Sequence, residues 1–101
     1  MAFVLYVRLK SGLNEGDLQN KLMERKPQFL KVPGLIQKIY GRDKATGYAC
    51  GIYFFESEKA LEDFAGSELA RTIPEAYEVV EIRKEVYECM FPLRPETGPL
   101  P

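Results

Sequence analysis

The chain has no histidine and no tryptophan among its 101 residues. Without histidine there is no Ser-His or Cys-His nucleophilic pair. Nor can there be a two-histidine zinc helix, or an iron site of two histidines and a carboxylate. Cysteine occurs only at Cys50 and Cys89, too sparse and too far apart for a disulfide framework. No stretch approaches the roughly 20 apolar residues a membrane helix needs. An excess of one charge is missing too: 14 basic and 15 acidic residues are interspersed, for a net charge of −1. That leaves no basic block for nucleic acid and no acidic tail. The N-terminus, Met1 to Arg8, alternates and soon picks up charge, so it reads as a strand and not as a signal peptide. The chain is therefore expected to be soluble and cytoplasmic, with free thiols, no metal site, and neither a nucleic-acid nor a membrane partner.

A chain of this length allows one domain, and a domain so small buries only about two-thirds of the surface its unfolded chain exposes. The domain is expected over residues 1–91. A tail over 92–101 holds four of the seven prolines and should be extended or disordered unless a partner subunit holds it. Within the domain, the first strand spans 3–10, with Phe3, Leu5, Val7 and Leu9 facing one way and Val4, Tyr6, Arg8 and Lys10 the other. Asn14 is placed to cap a helix whose inner face carries Leu18, Leu22 and Phe29, with a kink or a fresh turn at Pro27. Pro33-Gly34 turns the chain into a second strand over 35–42, and a polar connection leads to a third over 48–56. Ser57 caps a second helix with Ala60, Leu61 and Phe64 inside, and Ser67 caps a shorter one. A fourth strand covers 78–90, with Val80, Ile82 and Val86 on one face and Val79, Glu81, Arg83, Glu85 and Tyr87 on the other.

The order is β-α-β-β-α-β. Right-handed crossovers then put both helices on one face of a four-stranded antiparallel sheet, in spatial order four-one-three-two. The fold class is α+β, ferredoxin-like. The third strand, Tyr48 to Phe55, is apolar or aromatic on both faces, which argues for cover on both. The helices cover one side. A second copy of the sheet is expected on the other, making a homodimer closed as an α/β barrel. The face it would close offers Tyr6, with Tyr40 or Tyr53, and the mixed charges of the fourth strand.

Three segments resemble the YdhR-type monooxygenase family of the dimeric α/β-barrel superfamily. They are Pro33-Gly34-Leu35-Ile36-Gln37-Lys38-Ile39-Tyr40, Ala49-Cys50-Gly51-Ile52-Tyr53-Phe54-Phe55 and Glu56-Ser57-Glu58-Lys59-Ala60. The resemblance implies this fold, homodimerisation and monooxygenase chemistry. The chain lacks the histidine of the superfamily's haem-degrading branch and the pocket tryptophan of its quinol-type monooxygenases.

The function expected is a cofactor-independent monooxygenase acting on a small aromatic or quinone-like compound. In such chemistry the deprotonated substrate supplies the electrons, while the protein binds the ring, favours its anion and excludes water. A tyrosine hydroxyl can donate to a phenolic or carbonyl oxygen, and an arginine can stabilise an anion formed there. Tyr40, Tyr53 and Arg83 are the catalytic candidates, and Tyr6, Tyr48, Phe64 and Tyr87 the ligand-binding ones. The plainer alternative makes these tyrosines rings packed in core and interface. If the pocket lies between sheet and helices, its walls should be Leu5, Val7, Ile39, Phe64 and a tyrosine. Two other functions fit the scaffold: a non-enzymatic homodimer that binds a small ligand, and a lactone-type isomerase using a carboxylate or tyrosine as acid–base. The glycine-flanked stretch Gly41 to Gly47 lacks the Gly-Lys-Ser/Thr ending of a phosphate loop and reads as a hairpin turn.

Overall fold

The computed structural model describes residues 2–97. Its elements are β1 (Phe3–Ser11), α1 (Glu15–Phe29), β2 (Leu35–Arg42), β3 (Ala49–Phe55), α2 (Glu58–Ala65), α3 (Glu68–Arg71), α4 (Ile73–Ala76) and β4 (Val79–Glu88). The strands form one antiparallel sheet in the order β2-β3-β1-β4. This is the ferredoxin-like βαββαβ arrangement. Among the described residues no helix is long and apolar enough to cross a membrane.

Local chemistry sets the helix starts. Asn14 Oδ1 accepts from the Asp17 amide at 2.8 Å, Ser57 Oγ from Ala60 at 3.1 Å and Ser67 Oγ from Ala70 at 3.2 Å. Each satisfies an otherwise orphaned N–H, worth about 1 kcal/mol. α1 continues through Pro27, so no fresh turn starts there, and ends two residues later. Pro74 lies in the first turn of α4, where its missing N–H has no intrahelical partner to lose. Gly34 turns the chain with φ 76°, and a Cβ there would lie 2.5 Å from that of Ala60.

The core lies on one side of the sheet. Leu5, Val7, Leu9, Tyr53 and Phe55 meet Phe29, Leu61, Phe64, Ile73 and Tyr77 from the helical segments. The other side carries Val4, Tyr6, Cys50, Ile52 and Phe54, all only half-buried.

Two bulges change which residues reach which side. Leu35 pairs with Phe55 but Gln37 pairs with Phe54, so Ile36 is an extra residue and the alternation slips by one. Lys38 and Tyr40 therefore face the helices, and Ile39 faces away. A second irregularity at Lys10/Ser11 pairs Ser11 with Val79 and Lys10 with Glu81. Val79 thus packs on the core and Val80 is exposed, the reverse of the expected faces for both.

Beyond β4, in the tail expected to be extended or disordered, the described residues make a single 3-10 turn at Pro95–Thr97. The last part of the tail, 98–101, lies outside the described residues. Cys50 and Cys89 are free thiols on strand segments that β1 separates.

Phe55 is 0% exposed, so Phe55→Ala should lower stability by about 3–5 kcal/mol in urea unfolding. Intact mass measured with and without reductant should be the same, because no intrachain bridge forms.

Candidate functional site

α1 lays Leu18, Leu22, Arg25 and Phe29 along one face, at the i, i+4, i+7, i+11 spacing that brings side chains into line. This stripe lies over β2 and β3. Between them a groove of about 290 Å³ is lined by Leu18, Leu22, Met23, Tyr40 and Ala49, with Arg42 and Glu15 ion-paired at its rim. It shares Leu18, Leu22, Tyr40, Gly41 and Ala49 with a deeper recess of about 40 Å³, which Lys38, Tyr53, Ile73 and Tyr77 complete. A groove of this size, mostly apolar with a few convergent polar groups, is what a small-molecule site requires.

The polar groups of the recess are unusual for their surroundings. Lys38 Nζ lies 3.5 Å from the ring centroid of Phe29, 4.3 Å from that of Tyr40 and 4.5 Å from that of Tyr53. It makes no salt bridge among the described residues. Burial, together with the nearby Arg25 guanidinium, lowers its pKa from 10.5 to about 7. Contact with three rings favours the ammonium, while loss of hydration disfavours it.

Gly51, opposite Tyr40 on β3, leaves room for this side chain. A Cβ there would stand 3.1 Å from Tyr53 Cε1 and 3.3 Å from Lys38 Cε.

Arg25 lies 5.8 Å from the Phe29 ring centroid and 5.3 Å from that of Tyr77. Its terminal nitrogen donates to the Leu69 carbonyl at 2.8 Å and to Thr72 Oγ1 at 3.2 Å, while Nε is buried without a partner. The Tyr77 hydroxyl is likewise buried and unpartnered. Burial raises the pKa of Tyr40, Tyr53 and Tyr77, so all three phenols remain O–H donors at neutral pH. The recess thus gathers the Lys38 amine and three phenol donors, with the Arg25 guanidinium beyond it against the Phe29 and Tyr77 rings, and among the described residues no Asp or Glu lines it. Such a set suits an anionic oxygen on an aromatic ligand. Among the described residues, no three His, Cys, Asp or Glu side chains converge as metal ligands would.

The sheet sorts the sequence candidates into two groups. Tyr40 and Tyr53 face the helices and meet at the recess, not on the open face first expected to offer them. Phe64 packs on Tyr53 with centroids 5.2 Å apart, as a core ring behind the recess and not in its wall. Ile39, expected as pocket lining, faces away. Tyr6, Tyr48, Arg83 and Tyr87 lie on the open side, so Arg83 cannot act with Tyr40 or Tyr53 of its own chain. There Arg83 pairs with Glu85 at 2.8 Å, and Tyr48 donates to Glu81 at 3.2 Å with the Arg8 guanidinium over its ring.

Sequence reading missed Lys38, Arg25 and Tyr77. Arg25 left a signal, a charge inside the apolar stripe between Leu22 and Phe29. Lys38 left a weaker one, a lone charge between Ile36 and Tyr40.

The comparisons bear on this geometry. The family model described as "Putative mono-oxygenase ydhR" matches residues 4–95. The chain belongs to this family. As a ydhR-family member it shares its fold with solved structures at low identity. SnoaB of Streptomyces nogalater, a cofactor-independent oxygenase, superposes with TM-score 0.75 at 10% identity, over 91% of this chain and 96% of that one. Rv0793 of Mycobacterium tuberculosis gives 0.74 at 11% identity, over 93% and 100%. A Caulobacter crescentus protein described as a "putative antibiotic biosynthesis monooxygenase" gives 0.74 at 14%, over 89% and 91%. No curated protein matches the sequence.

A buried cation without an acid makes the site a drain on stability. Below about pH 7 both folded and unfolded chains carry the Lys38 charge, and the folded state bears its full desolvation. From about pH 7 to about 10.5 the unfolded chain holds more protons, so stability rises with pH. Lys38→Met should therefore stabilise the protein by about 1–4 kcal/mol in the acidic range. The gain should fade toward the alkaline end, as read by denaturant melts across this interval.

Proposed function

We propose that the protein is a monooxygenase that needs no cofactor and acts on a small aromatic or quinone-like compound bound in the groove between α1 and the sheet. The observation that carries this reading is the recess itself: a lysine amine with no acid beside it and three protonated phenols, set in apolar walls with the Arg25 guanidinium nearby. Such a site prefers the anion of a hydroxylated ring to its neutral form. Membership of a monooxygenase family, and a fold shared with a cofactor-independent oxygenase, support the same chemistry.

The electron balance is met by substrate and dioxygen alone. A hydroxylated ring that loses its O–H proton and one ring C–H on the way to a quinone supplies four electrons. One oxygen atom becomes its carbonyl and the other leaves as water. The protein's part is to hold the ionised ring, shield it from water and stabilise the developing negative charge with Arg25 and the phenols.

Homodimerisation belongs to this proposal. Exposed apolar side chains concentrate on β4 and just after it: Val80, Val86, Tyr87, Met90, Phe91 and Leu93. Of these, Tyr87, paired with Val4, lies on the sheet's open side with the half-buried Tyr6, Ile52 and Phe54. A second sheet laid on this side would cover it and close the barrel.

Two measurements test the reading. Oxygen uptake with a panel of quinols and hydroxylated polycyclic ketones, without added cofactor, should be positive, and Tyr53→Phe or Arg25→Met should lower kcat/KM by about 10²-fold. Uptake with none of the panel, or uptake indifferent to both changes, would sink it. Sedimentation at micromolar concentration should give twice the chain's mass, and Ile52→Glu with Phe54→Glu should give the monomer.

A further inference from the structure

We propose that Lys38 is the base that takes the phenolic proton of the bound substrate; this rests on the oxygenase reading above and assigns its first step. The O–H bond of the phenol breaks, its electron pair stays on oxygen, and an N–H bond forms at Nζ. A neutral phenol and a neutral amine become a phenolate and an ammonium, with no further reactant.

The assignment follows from what faces the recess. The chain has no histidine. Arg25 and Lys26 on α1 are cations, Arg25 against the same Phe29 ring as Lys38 and Lys26 at the groove's margin. Tyr53 comes from β3, whose Cys50 side chain points to the sheet's other side, Tyr77 from the end of α4, and Tyr40 from the same strand as Lys38. Burial keeps the three phenols protonated. Glu15 is the one carboxylate lining the groove, and Arg42 holds it at the rim.

Only the Lys38 amine combines a position in the recess with freedom from any carboxylate partner and a neutral form at ordinary pH. The ring cage adds a second property. Three aromatic faces within 4.5 Å of Nζ stabilise the ammonium once the proton has arrived. The cage thus offsets part of the hydration the ammonium loses, and the phenolate formed beside it supplies the counter-charge that the recess lacks.

The test separates this role from turnover by using 1-naphthol, whose naphtholate absorbs at longer wavelength than the neutral form. At neutral pH naphthol bound to the wild type should show the naphtholate band. Bound to Lys38→Met it should remain neutral, with binding itself changed only a few-fold and the fold intact by circular dichroism. With a substrate that supports oxygen uptake, wild-type kcat/KM should rise through an ionisation near pH 7 and then level off. Lys38→Met should lose this step and about 10²–10⁴-fold in rate. Lys38→Arg, a permanent cation, should lose both as well, whereas a residue that only anchors an anion would be rescued by arginine. Naphthol that stays neutral on the wild type overturns the proposal, as does oxygen uptake with an unchanged pH profile in Lys38→Met, and the latter leaves the oxygenase reading standing. Conversely, naphthol ionised in a Lys38-dependent way, with no oxygen uptake from any substrate, supports the base and removes the oxygenase.

Discussion

Four rings hold the helices to the sheet: Phe29 from α1, Tyr53 and Phe55 from β3, and Phe64 from α2. Their contacting centroids lie 5.2–6.3 Å apart. Each such pair adds about 0.5–1.5 kcal/mol beyond the area it buries. The cluster fixes where α1 crosses the sheet, and so fixes the groove beside it. Tyr53 belongs to both. Its ring is core, and it also lines the recess that carries the polar groups.

That shared position explains why the site is electrostatically costly. A small domain with one covered sheet face has little interior to spare. Here part of that interior surrounds the Lys38 amine, with no carboxylate lining the recess among the described residues. Buried charges are ordinarily paired. Its retention without an acid is a local departure from the rules that favour a stable fold, and such departures gather where a protein binds or reacts. The counter-charge that would relieve the strain is supplied most simply by a ligand with an anionic oxygen. The orphaned Tyr77 hydroxyl and Arg25 Nε fit the same account.

Much of the fold could be read in advance from local chemistry. The three side-chain caps, the Pro33-Gly34 turn and the strict alternation of β1 each act over a few residues, and each fell where the sequence placed it. The order of elements gave β3 its central position in the sheet, and its two-sided apolar character agreed with it. The site was less legible. Tyr40 and Tyr53 were visible as tyrosines on strands, but not the side on which they meet. The slip at Ile36 put Lys38 and Tyr40 toward the helices and turned Ile39 away. A bulge is set by the pairing of two strands distant in sequence, so no periodicity within β2 reveals it.

The sequence by itself determined the order of elements, their capped starts, the layout of the sheet and the absence of histidine chemistry, because these depend on residue type and on spacing along one chain. Only the tertiary structure decided that Lys38, Tyr53 and Tyr77 share one recess with Arg25 beside it, and that Arg83 lies on the opposite side of the sheet from them. Those residues come from β2, β3, the end of α4 and α1. Their meeting depends on packing across the sheet, and the desolvation that tunes the Lys38 amine exists only once that packing has formed.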